Sequence, residues 1–368
     1  MSEVRGNREE GQNDAERSSF RASSVFESSG DVTPPASGIF AGVLGITAPL
    51  IVGALMEQPG AGMIVSLGGL ALSGSGSVGA FRERFSDLAC AFAATSLAIA
   101  CGVLVAADLW FSVFLIPLIA FFSGLFGGIS RPLARASGQF IVFMIIAAGL
   151  NVGGGGLVIT VLLFCLGAAW TAVLSLVLYP VFQNRGTGGV YQPARRHTAE
   201  QLLSRWRRTL AHFGGWFYPL RIGLCLLVAG FFQMNWPYGH GYWILITVAI
   251  VVQRSVHALL KRMLQRALGT FAGILFASIF LFCVPPLWIV ILVIGVLAAL
   301  RSAYKESNYA AYSAVMTLLV LLLLDYGKEA GLEVIIDRLF STLTGCVIAL
   351  VFGYLLWPRS VGEEKPLE

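Results

Sequence analysis

YWILITVAIVVQRSVHALLKRMLQRALGTFAG, residues Tyr242–Gly273, decides the fold. The stretch Tyr242–Gln253 is apolar almost throughout. A basic, amphipathic run follows, with Arg254, Lys261, Arg262 and Arg266. A second apolar segment then opens on Gly269, Thr270 and Gly273. The pattern predicts two membrane helices joined by a cationic elbow, the small residues letting the second pack closely on its neighbours.

The rest of the chain agrees. It is 57% hydrophobic and 12% charged, with a mean hydropathy of +0.78; a soluble domain is about 25% charged. The apolar residues fall in runs of roughly 17–25, the length that spans a bilayer as a helix. A membrane β-barrel would alternate polar and apolar residues with a period of two, and no such pattern occurs. The fold class is therefore all-α, a polytopic helical membrane protein. Cys90, Cys101, Cys165, Cys225, Cys283 and Cys346 all lie in apolar runs without CxxC spacing, which argues against disulfide or metal roles. The net charge of +5 reads as positive cytoplasmic loops, not as nucleic-acid binding.

Residues 1–36 are polar and read as a disordered cytoplasmic tail. Residues 37–180 hold six apolar segments, the last stopping at Pro180, with a loop over Phe81–Phe85. Residues 181–216 form a basic cytoplasmic connector. Within it Thr198–Phe213 reads as an amphipathic helix, lying on the anionic lipid surface or on the protein's own underside. Residues 217–358 repeat the layout, with helices expected near 219–234, 242–253, 264–284, 287–300, 309–324 and 334–357. A short cytoplasmic tail, 359–368, ends the chain.

One ungapped shift of 178 positions superposes Gly45 on Gly223, Arg84 on Arg262, Gly167 on Gly345, and Tyr179-Pro180 on Trp357-Pro358. This predicts about 12 transmembrane helices in two six-helix repeats. An even number of helices per repeat makes the copies parallel. With both termini in the cytoplasm, only Lys328 and Arg338 of the 25 Lys and Arg fall outside. The positive-inside rule then fixes that orientation.

Tyr242-Trp243, Arg262, Arg266-Ala-Leu-Gly269-Thr270 and Gly273 resemble the core motif of the fusaric acid resistance family, which includes aromatic acid exporters. Asp337-Arg338, Thr342, Gly345 and the Trp357-Pro358 stop form a second mark, and Phe81–Arg84 resembles the matching loop of the first half. The resemblance implies an integral protein of the inner (plasma) membrane that exports aromatic or other organic acids. It admits a periplasmic adaptor protein or a homodimer as partners. Many members carry a sizeable cytoplasmic domain, and here the connector and tail are short.

No Walker-type loop supports ATP-driven transport, and no His/Cys/carboxylate cluster has metal spacing. An enzyme, a cofactor and a metal are not predicted. The four histidines, His197, His212, His240 and His257, read as solvated or interfacial. Arg262 and Arg266, spaced i, i+4, share a helix face and could hold a carboxylate, or serve only as topology anchors. Arg84, the repeat counterpart of Arg262, could face the same pathway. Tyr242, Tyr309 and Tyr312 are candidates to meet an aromatic substrate or to anchor at the interface. Asp108, Asp325 and Asp337 are candidate proton carriers or solvated loop carboxylates, and Asp337 could pair with Arg338. The second segment, broken at Ser73–Ser77, and the short segment Tyr242–Gln253 are interrupted at corresponding positions, which points to a transport site. The reading is a secondary transporter, proton-coupled, for the efflux of organic anions. The alternatives are an organic-anion channel and a non-transporting membrane scaffold.

Overall fold

The computed structural model describes residues 36–75, 81–106, 108–150, 156–183, 199–211, 214–237, 240–283, 285–325 and 332–357. The expected tails, most of the connector before 199, and the side chain of Asp325 lie outside the described residues. Every regular element described is helical. The first half comprises α1 (Ala36–Leu55), α2 (Pro59–Leu72), α3 (Phe81–Val105), α4 (Leu109–Gly127), α5 (Arg131–Gly149) and α6 (Leu157–Gln183). The connector contributes α7 (Ala199–Ala211). The second half comprises α8 (Gly214–Met234), α9 (Tyr242–Val251), α10 (Val256–Cys283), α11 (Leu287–Ser307), α12 (Tyr309–Asp325) and α13 (Leu332–Leu350). A π-helical turn, Val351–Leu355, extends α13.

Seven helices, α1, α3, α4, α6, α8, α11 and α13, are long and apolar enough to cross a membrane. Shorter apolar helices of 10–17 residues are α2, α9, and parts of α5 and α12. Large apolar side chains in mid-helix face outward: Leu97 is 59% exposed and Val296 53%. The interior, by contrast, holds Arg84, Arg221, Arg266, Arg301, Asp337 and Arg338. An apolar outside around buried ionic groups is the arrangement expected where the solvent is hydrocarbon. The chain is a helical membrane protein.

Packing pairs recur between the halves. In the first, α1 packs on α2, α2 on α6, α3 on α5, and α4 on α5. In the second, α8 packs on α9, α9 on α13, α10 on α12, and α11 on α12. Across the halves α4 packs on α8 and α11 on α1. Small residues set the closest approaches. A β-carbon on Gly167 of α6 would overlap the Val65 carbonyl of α2, and one on Gly68 of α2 would overlap the Phe164 carbonyl of α6. On α13, a β-carbon on Gly345 would lie 3.0 Å from the Ile244 carbonyl oxygen of α9.

Several boundaries differ from expectation. The supposed loop at Phe81–Phe85 is the first turn of α3, and the cationic elbow forms the first turns of α10. A change in polarity does not interrupt the backbone hydrogen-bond ladder, so a basic run at helical spacing continues a helix. Pro180 and Pro219 lie inside α6 and α8, which extend beyond them to Gln183 and back to Gly214. One missing donor bends a helix without always ending it. Helix α11 continues to Ser307 instead of stopping at Leu300.

Candidate functional site

The two interrupted helices end on arginine. Helix α2 stops at Leu72, and Gly74 turns the chain with φ +79°, a conformation that suits glycine. From α11, Arg301 donates to the Ser73 hydroxyl, and its Nη2 lies 3.4 Å from the Ser73 carbonyl and 3.5 Å from that of Leu70. Lys305, one turn on, donates to the Gly74 carbonyl at 3.0 Å. Helix α9 stops at Val251, and Arg221 of α8 donates to the Gln253 carbonyl and, at 3.1 Å, to that of Arg254. Arg254 in turn donates to the Gly124 carbonyl of α4 at 2.9 Å. Helix C-termini present unpaired carbonyls and a partial negative charge, so cations are stable there.

Arg301 also belongs to a second group. Its guanidinium lies near the Tyr312 side chain of α12. Tyr312 stacks on Tyr309, with ring centroids 5.8 Å apart. The Arg262 guanidinium of α10 lies 3.9 Å from the centroid of the Tyr309 ring, a cation–π contact. Arg266, one turn further and 5% exposed, points its Nη1 at the Ser313 hydroxyl 3.5 Å away. Thus Arg262, Arg266 and Thr270 form an i, i+4, i+8 stripe on α10, facing Tyr309, Ser313 and Thr317 at the same spacing on α12. Gly273 keeps the two helices close: a β-carbon there would sit 2.6 Å from the Ala314 carbonyl oxygen.

Among the described residues the group has charge without counter-charge. None of Arg262, Arg266 and Arg301 has a carboxylate partner among the described residues; the salt bridge found there is His240–Asp337. Buried atoms without a hydrogen-bond partner include the Tyr309 and Thr270 hydroxyls and the Nε atoms of Arg262, Arg266 and Arg301. Buried guanidinium groups are costly unless an anion meets them. Chemically, the cluster offers donors that fit a carboxylate and ring faces that fit an aromatic body.

The structure thus brings together four of the sequence candidates: Arg262, Arg266, Tyr309 and Tyr312. It places the others elsewhere. Arg84 is engaged with α6, donating to the Ser175 hydroxyl at 2.7 Å and lying 4.6 Å from the Tyr179 ring centroid. Tyr242 packs against Gly149 and Trp243 near the N-terminal end of α9. Asp108 caps α4, its side chain accepting from the Trp110 amide at 2.8 Å. Asp108→Ala should therefore cost ~0.5–2 kcal/mol in thermal unfolding and leave any transport activity unchanged.

Asp337 is not a solvated loop carboxylate. It is 1% exposed on α13, accepts from Trp236 Nε1 at 2.5 Å, and lies 3.2 Å from Nδ1 of His240. Its neighbour Arg338 lies over the Trp243 ring, 3.1 Å from the centroid. Sequence reasoning missed Arg301, Lys305 and His240. The i, i+4 spacing of Arg301 and Lys305 is the signal that could have found the first two, had α11 been extended past Leu300.

Residues 224–352 match the family model described as fusaric acid resistance protein-like. Those residues of the second half are similar to the domain of that family. The chain is 36% identical over 119 residues to the inner membrane protein YccS of Escherichia coli (strain K12), a match covering 32% of this chain and 16% of YccS. It is 29% identical over 150 residues to the membrane protein YvaC of Bacillus subtilis (strain 168), covering 40% of this chain and 24% of YvaC. A match to YhfK of Escherichia coli (strain K12) is 30% identical over 141 residues, covering 38% of this chain and 20% of YhfK. The chain thus spans less than a quarter of the length of each of these relatives. No solved structure matches. The arginines and tyrosines of the cluster all lie in the fusaric acid resistance protein-like domain, whereas Ser73 and Gly74, which Arg301 and Lys305 hold, come from outside it.

Proposed function

We propose that this protein is a secondary transporter that exports organic, preferentially aromatic, anions across an inner membrane, using the proton gradient. The observation that carries this reading is the group of buried Arg266 and Arg301 with half-buried Arg262, Tyr309 and Tyr312, whose three arginines have no carboxylate among the described residues. An incoming carboxylate supplies the missing negative charge, and its ring lies against tyrosine.

Two six-helix repeats of twelve spans are part of the reading. The recurring packing pairs support them, as do Gly167 and Gly345, which meet the second helix of their own halves. The excess of Lys and Arg at one end supports cytoplasmic termini. Both helix interruptions are anchored by arginine from another helix, which suits ends that must be held yet released in an alternating-access cycle.

The test is flux in sealed proteoliposomes holding the full chain, with an imposed pH gradient and a panel of aromatic carboxylates. Saturable uphill movement of at least one compound, with accompanying proton movement, is the expected result. Flux that follows the anion gradient and ignores pH would overturn the coupled reading in favour of a channel. No flux from folded protein would overturn transport itself.

A further inference from the structure

A second polar group lies toward the other end of α8 from Arg221. Helix α8 carries Arg221 at the α9 break and, past its other end, Trp236 at Asp337. From Arg221 to Met234 the helix rises roughly 20 Å. Around Asp337, the turn between α8 and α9 supplies Trp236 and His240, and α9 supplies Tyr242 and Trp243. On α13 itself Arg338 lies over Trp243. Helix α10, also packed on α13, carries Lys261, Arg262 and Arg266 toward its N-terminal end, and α8 carries Arg221 near its own. Glu333 lies outside the residues whose side chains are described.

The two partners differ in access. His240 is 37% exposed and Asp337 is 1% exposed. Nδ1 of His240 lies 3.2 Å from Oδ2 of Asp337, a buried oxygen that accepts no hydrogen bond among the described residues, and Trp236 pins the other carboxylate oxygen. The contact joins a solvent-reachable imidazole to a buried carboxylate. An acid group enclosed in a membrane bundle marks ion or proton traffic more often than fold stability.

We infer that His240 and Asp337 form a proton-binding relay, His240 the entry point and Asp337 the buried carrier. A proton adds to Nε2 of His240 from the aqueous side. The Nδ1–H bond breaks as an Oδ2–H bond forms on Asp337, and the imidazole is left neutral as the Nε2–H tautomer. One proton enters and the charge of the pair goes from −1 to 0. Trp236 keeps its hydrogen bond to Oδ1 throughout, so the carboxyl stays in place while its charge changes. The use of this proton to drive anion export rests on the transport reading above; the binding itself does not.

The experiment therefore contains no anion. Infrared difference spectra are recorded for the full chain in lipid nanodiscs as the pH is stepped between about 8 and 5, the range in which histidine changes charge. The expected result is the carbonyl stretch of a protonated carboxylic acid that grows on acidification and is missing in Asp337→Asn. In His240→Gln the same band should rise more slowly after a pH jump, because the relay has lost its entry point. His240 sits on a half-exposed turn, so this variant decides the matter even if Asp337→Asn does not fold. A band unchanged in Asp337→Asn, no pH-dependent carboxyl band in the parent chain, or an unaltered rate in His240→Gln overturns the relay. A positive band with no anion flux would leave the relay standing and remove only its coupling to export.

Discussion

Arg262→Met combined with Arg266→Met abolishes anion flux without lowering the stability of the protein. Each charge-assisted hydrogen bond to a carboxylate contributes ~1.5–3 kcal/mol. Losing two weakens anion affinity by roughly 10²–10⁴-fold. The expected stability is what separates a binding role from a structural one. Neither arginine has a carboxylate partner among the described residues, and the Nε atom of each is buried without a hydrogen bond. Replacing such a charge with an apolar chain of similar length is neutral or stabilising. The cation–π contact of Arg262 with Tyr309, ~0.5–2 kcal/mol, works in the opposite direction and bounds the loss. Anion affinity from a fluorescent aromatic carboxylate and thermal unfolding in detergent check both halves. Flux that survives, or a double variant that unfolds several degrees earlier, would make the pair structural. Arg301 is a poorer choice for this test, because it also holds the end of α2.

Gly167→Ala prevents folding, while Gly138→Ala is tolerated. A β-carbon on Gly167 would overlap the Val65 carbonyl, which belongs to a helix backbone and cannot rotate aside. The only relief is to move α2 away from α6, at a cost of about 3 kcal/mol or more, the upper end for overpacking. Such a cost is a large fraction of total stability. At Gly138 nothing lies within 4 Å of the added carbon, so the substitution meets open space. Size-exclusion profiles of the two variants after detergent extraction provide the comparison. A monodisperse Gly167→Ala protein would show that α2 and α6 are not packed as described.

That pair of glycines shows where the sequence stops being legible. Both sit within helices, and the repeat pairs Gly167 with Gly345 without saying what either glycine meets; what separates Gly167 from Gly138 is the distance to a helix roughly a hundred residues away in the chain. The cation cluster was half legible for the same reason. Arg262 and Arg266 share a face by local spacing, and Tyr309 and Tyr312 are close in sequence. That α12 presents those rings to α10, and that Arg301 joins them from α11 while holding α2, follows from helix packing alone.

The local physics of the chain determined the rest. Long apolar runs in a chain with 12% charged residues leave no stable state but membrane-crossing helices, because hydrocarbon satisfies no backbone hydrogen bond. Hydropathy therefore located the helices to within a few residues in most cases, and erred at the Phe81 and Val256 ends, where a basic first turn looks like a loop. The motif around Arg262 and Gly269 was enough to point to the family. Tertiary structure decided which charges are buried and with what. Asp337 reads in sequence as a candidate proton carrier or a solvated loop carboxylate, and His240 as solvated or interfacial. Only the docking of α13 against the turn between α8 and α9 makes them a pair, since an ionic contact 97 positions apart is set by three-dimensional packing and has no local signal.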